Sequence, residues 1–124
     1  MNVLLFLAAA LALFLAAAHS YLGERYILIR LLRRTDLPRL FGGAEFTKHT
    51  LRFAWHLTSL AWAGFAALLA VQAVAPSGSW RAEGQVISLT FALSGFAALV
   101  GSRGRHLSWV VFLAIAALVW LALP

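Results

Sequence analysis

"MNVLLFLAAALALFLAAAHSYLGERYILIRLLRR", Met1–Arg34, decides how the rest of the chain is read. Its first part is apolar over the roughly 20 residues a membrane-spanning helix needs. A secretory signal carries its positive charge ahead of such a run. Here only Asn2 and the amino terminus precede it, while Arg25, Arg30, Arg33 and Arg34 follow it. Charge placed after an apolar run marks a retained helix that begins outside the cytoplasm.

The remainder of the 124 residues agrees. The chain is 63% hydrophobic and only 11% charged, too apolar for a soluble domain of this length to hide its surface. Four segments are apolar enough to cross a bilayer, at about 2–22, 50–75, 85–101 and 107–123, the last two near the lower length limit. Ten Lys and Arg stand against four Asp and Glu, and nine of the ten fall in two segments. The long loop and its flanks hold Arg25, Arg30, Arg33, Arg34, Arg39, Lys48 and Arg52, and "GSRGRH" holds Arg103 and Arg105. Between the second and third runs, "PSGSWRAEG" has Arg81 offset by Glu83. The basic loops are therefore expected inside and both termini outside, in a bacterial inner membrane. Nucleic acid is not the expected partner of this charge; anionic headgroups on the cytoplasmic side are.

The expected fold is an all-α integral membrane protein, one four-transmembrane-helix up-and-down bundle over residues 1–124. Within the first loop, Ile27, Leu28, Leu31 and Leu32 share a helical face opposed by Arg30, Arg33 and Arg34. That predicts an amphipathic interfacial helix over about 24–35, continuing from the first span and stopped at "TDLP" by Pro38. "FGG" predicts a turn, and Glu45 suits the first turn of the next helix. Ala8, Ala12 and Ala16 recur at four-residue spacing, as do Ser94 and Ala98, and predict close helix approach.

The histidines carry what chemistry the sequence offers. There is no cysteine, so thiol redox and thiolate metal sites are excluded. In "FTKHTLRFAWHLTS", Phe46–Ser59, His49 and His56 are seven residues apart, which stacks them on one helix face about 10 Å apart. His19 lies near the end of the first run, and His106 opens the fourth, so all four histidines belong to the basic side. His19 and His56 sit at similar depth, about one turn into the apolar layer, where an ionisable group needs a partner.

Three readings follow. Imidazole ligates haem iron, and helix bundles hold such cofactors between facing helices. His19 and His56 are then the metal ligands of a b-type haem, with His49 and His106 as a further pair. Arg52, Arg103 and Arg105 would meet the propionates, and Phe53, Trp55 and Trp109 the ring. Two protein ligands suit electron transfer, with a membrane quinol or another redox partner. Alternatively, three histidines and a water bind zinc in a membrane hydrolase, with Glu45 orienting His49; the apolar runs offer no carboxylate for its acid–base steps. The third reading is a cofactor-free assembly or lipid-interacting protein, a homo-oligomer included. Up-and-down helices, paired histidines and boundary arginines resemble, in outline, small bacterial four-helix membrane cytochromes b.

Overall fold

The computed structural model describes residues 2–74, 80–101 and 103–124. Expectations that fall on Met1, Ala75, the first four residues of the Pro76–Gly84 loop (76–79) and Ser102 lie outside the described residues. The described chain is helical, with no strands. Helix α1 is Val3–Leu31, α2 is Glu45–Val74, α3 is Arg81–Gly101 and α4 is Ser108–Leu121. The first three are long and apolar enough to cross a membrane. The fourth has 14 helical residues. At 1.5 Å per residue that is about 21 Å, short of the roughly 30 Å hydrocarbon core. It begins later than the apolar run because residues 103–107 are spent on a turn, with Arg103 and Gly104 at positive φ.

Helix α1 starts under a cap that its composition hides. The Asn2 side chain accepts from the amides of Leu4 and Leu5, and the Asn2 amide donates to the Ala73 carbonyl at 2.9 Å. That bond ties the start of α1 to the end of α2. At the other end, Glu24 of α1 pairs with Arg52 near the start of α2, so the two helices are antiparallel. Helices α3 and α4 are antiparallel as well, joined by Ser88 Oγ donating to the Ala116 carbonyl at 2.8 Å and by Arg81 donating to the Pro124 carbonyl. Asn2, Ala73, Arg81 and Pro124 thus gather at one end, and the basic segments at the other.

Helix α1 packs between α2 and α4, and α3 packs mainly on α4. Ala8, Ala12 and Ala16 are all buried, since a stripe of methyls lets both neighbours approach α1. Leu5, Leu69, Ala73, Phe91, Ile115 and Val119 are fully buried with them, and Leu28 is buried nearer the basic end. Helices α2 and α3 meet through the edge-to-face pair Phe65–Phe91, with ring centroids 5.7 Å apart. Nearer the basic end they leave room between them.

The amphipathic stretch does continue the first helix, through a π-helical segment at Gly23–Leu28, but the helix ends at Leu31 rather than near 35. Arg34 closes a turn onto the Leu31 carbonyl, and its guanidinium grips Asp36 at 2.8 Å, which removes the last expected turn. Leu28 and Leu32 are buried while Ile27 is exposed. Phe41 and Gly42 take positive φ, the reversal that "FGG" predicts, and α2 then starts at Glu45, ahead of its apolar run.

The Arg34 hydrogen bond lowers the Asp36 carboxyl to about 2. A depressed carboxyl contributes its tie above the ordinary carboxylate range and loses it only as pH falls through 2. An NMR titration of the Asp36 side chain should find that midpoint, and Arg34→Ala should return it to the usual range.

Candidate functional site

The basic end of the bundle brings α1 and α2 together through an exchanged pair of polar contacts. His19 Nδ1 lies 2.9 Å from Ser59 Oγ, and Ser20 Oγ lies 2.6 Å from His56 Nδ1. Each helix offers one histidine and one serine. The adjacent positions 19 and 20 answer 59 and 56 because the two helices run antiparallel. His56 uses its other nitrogen as well, with Nε2 3.2 Å from a Glu24 oxygen. Glu24 also takes Arg52, 3.0 Å away. Ser20, His56, Glu24 and Arg52 therefore form one continuous chain of contacts between the two helices.

The indole of Trp55 fixes His19 from one face. The two rings are stacked, with centroids 4.5 Å apart and planes 1° from parallel. Trp55 Nε1 donates to the His19 carbonyl at 3.0 Å, so the ring that covers the imidazole is itself anchored to the same residue. Trp62 meets His19 edge-on at 4.8 Å and Phe112 at 5.2 Å. A methyl placed on Gly23 would overlap the Trp55 indole, so this stack needs glycine there.

A cavity of about 960 Å³ opens beside the stack, where α2 and α3 stand apart. Its lining joins His19 of α1, Trp55 and Trp62 of α2, Ser94 and Ala98 of α3, and His106 with Phe112 from the segment around α4. The volume falls at the upper end of the roughly 300–1,000 Å³ usual for cofactor and ligand sites. A largely apolar wall carrying two imidazoles suits a large apolar ligand with one coordinating or hydrogen-bonding point.

No family model, curated protein or solved structure matches the chain.

The candidate residues divide between different places. His19 and His106 line the cavity; His56 and His49 do not. His106 Nδ1 contacts Ser108 Oγ at 2.7 Å, in the turn before α4. His49 lies with Arg52 in a second, polar cleft. Arg52 is committed to Glu24, and Arg105 is exposed next to His106. Glu45 bonds Lys48 at 2.8 Å, the neighbour of the His49 it was expected to orient. Among the described residues, no group of three or more His, Asp or Glu stands close enough to hold a metal ion. Glu24 was missed as a site residue because it lies outside the apolar run, and only the antiparallel packing shows that it faces His56. Ser59 departs from the usual habit of an intramembrane hydroxyl, which bonds a carbonyl of its own helix, as Thr58, Thr90 and Ser94 do. It bonds His19 instead, and Ser88 crosses to α4.

Proposed function

We propose that the chain is an electron-transfer protein of the bacterial inner membrane that binds a b-type haem in the cavity beside His19. One observation carries the reading. His19 stands at the wall of a large aromatic cavity with one ring nitrogen, Nδ1, engaged by Ser59. A hydrogen bond at one imidazole nitrogen sets the tautomer and orientation with which the other meets a metal. Trp55 holds the ring plane in place. His106, on the same cavity, supplies the second imidazole; His56 has both nitrogens occupied by Ser20 and Glu24. Trp62 and Phe112 offer packing surface for a macrocycle. Arg103 and Arg105 lie between Gly101 and His106, both of which line the cavity, and suit two carboxylates at its polar edge.

Haem held by two imidazoles supplies one-electron transfer and leaves no open position for oxygen chemistry. A donor that dissolves in the bilayer, such as a quinol, fits a site within the helices. The detergent-purified protein should be red, with a Soret band that shifts on reduction by dithionite. A colourless preparation from haem-replete cells overturns the reading.

The bilayer placement in this proposal is four spans, with the fourth, short helix extended by Leu107, Ala122 and Leu123 and by local thinning of the membrane. Because Asn2 and Pro124 share the end opposite the basic segments, both belong outside. Reporter fusions at Pro124 should behave as external and one near Pro38 as cytoplasmic. An internal Pro124 would reverse the orientation or remove a span.

A further inference from the structure

The second cleft, of about 510 Å³, lies at the basic end between the close of α1 and the start of α2. Glu24, Ile29, Leu32, Arg33, Glu45, Lys48, His49 and Arg52 line it, and it shares no lining residue with the cavity beside His19. Three cations face two carboxylates, so the cleft carries net positive charge even with His49 neutral. Two of the cations are committed, Lys48 to Glu45 and Arg52 to Glu24. Arg33 makes no ion pair with any described residue. Its guanidinium is a donor fork shaped for a phosphate.

We propose that this cleft binds the phosphate of an anionic glycerophospholipid whose headgroup carries free hydroxyls. Arg33 is the anchor, and Lys48 and His49 complete the donor set. Lys48 closes the first turn of the 30-residue α2 and His49 follows it, so the partial positive charge of a helix N-terminus adds to the cleft. The carboxylates select among headgroups. A carboxylate accepts about four hydrogen bonds, so Glu45 and Glu24 can take headgroup hydroxyls while still holding Lys48 and Arg52. An ammonium headgroup has instead to compete with those two cations for the same oxygens, inside a cleft that is already positive. Ile29 and Leu32 give the cleft an apolar wall on the side of α1, which is where acyl chains leave a headgroup that sits at a membrane surface. The proposal rests on the bilayer placement of the helices and not on haem.

Native mass spectrometry of the full chain in detergent tests it, with phosphatidylglycerol, phosphatidylethanolamine, phosphatidylcholine and free glycerol phosphate added in separate arms. One phosphatidylglycerol should stay bound per chain, in preference to both zwitterionic lipids and to free glycerol phosphate. Arg33→Ala removes one charge-assisted contact and should weaken retention about tenfold. Arg33 is exposed, so the variant should elute at the normal position in size exclusion. Arg39→Ala, a basic change outside the cleft, should leave retention unchanged. Equal retention of phosphatidylcholine or phosphatidylethanolamine overturns the proposal. So does full retention in Arg33→Ala and Lys48→Ala. Free glycerol phosphate binding as tightly as the lipid would make the ligand a soluble phosphate and also overturns it. Absorption spectra of the same samples keep the two sites apart: phosphatidylglycerol retained by a colourless preparation sustains the cleft and removes the haem.

Discussion

With haem bound as proposed, His19→Ala is expected to take haem content in folded protein from stoichiometric to background. The imidazole is lost, and the methyl left behind offers the iron nothing. Three changes beside it separate the ligand assignments. His106→Ala should also lose most of the haem, because it is the other imidazole on the cavity. His56→Ala should keep most of it and lower thermal stability instead. Its contacts to Ser20 and Glu24 are interhelical and half-exposed, so their loss should cost about 1 kcal/mol. His49→Ala should leave haem content unchanged. The measurement is haem per chain for each variant, with size exclusion as the check on folding. If His56→Ala empties the site and His106→Ala leaves it full, the ligands are His19 and His56, and the chain of contacts through Ser20 and Glu24 must open when haem enters. If all four variants keep their haem, the cavity beside His19 is not its site.

The two ligand assignments differ because depth is legible in a sequence and direction is not. Counting residues from the charged boundary places His19 and His56 at one level, and each does bond the serine next to, or one turn from, the other histidine. Which way each ring turns depends on how α1 and α2 are rotated about their axes. The π-helical segment at Gly23–Leu28 is equally silent in the hydrophobic pattern, and it shifts the register of α1 from that point on. Glu24 was hidden for the same reason. It is 28 residues from Arg52 and 32 from His56, separations that no periodicity links. The helices themselves were legible, because their apolar runs, the alanine stripe at 8, 12 and 16, and the "FGG" reversal depend only on local chemistry. The cavity was not, because a gap between two helices is a property of how all four pack.

Gly23→Ala should destabilise the protein, and the sign is what makes the experiment decisive. Gly23 is helical, with φ −61° and ψ −48°, so nothing in its backbone calls for glycine. Alanine improves helix propensity by about 1 kcal/mol, and a Gly23 that merely filled a turn would be stabilised by the change. The new methyl, however, occupies space held by the Trp55 indole. That ring is not a flexible side-chain end. Its face is stacked on His19, and its N–H donates to the His19 carbonyl, which also accepts the Gly23 amide. Either the indole leaves both contacts or α1 and α2 move apart against their buried alanines. Overpacking of this kind costs about 1–3 kcal/mol, enough to outweigh the propensity gain. The melting temperature should therefore fall, and the Trp55 displacement should loosen His19 and weaken haem retention along with it. In a Trp55→Ala background the obstruction is gone, and Gly23→Ala should become neutral or stabilising. A rise in melting temperature for the single substitution would mean that the indole and the glycine are not in contact, and that the orientation of His19 is set by Ser59 alone.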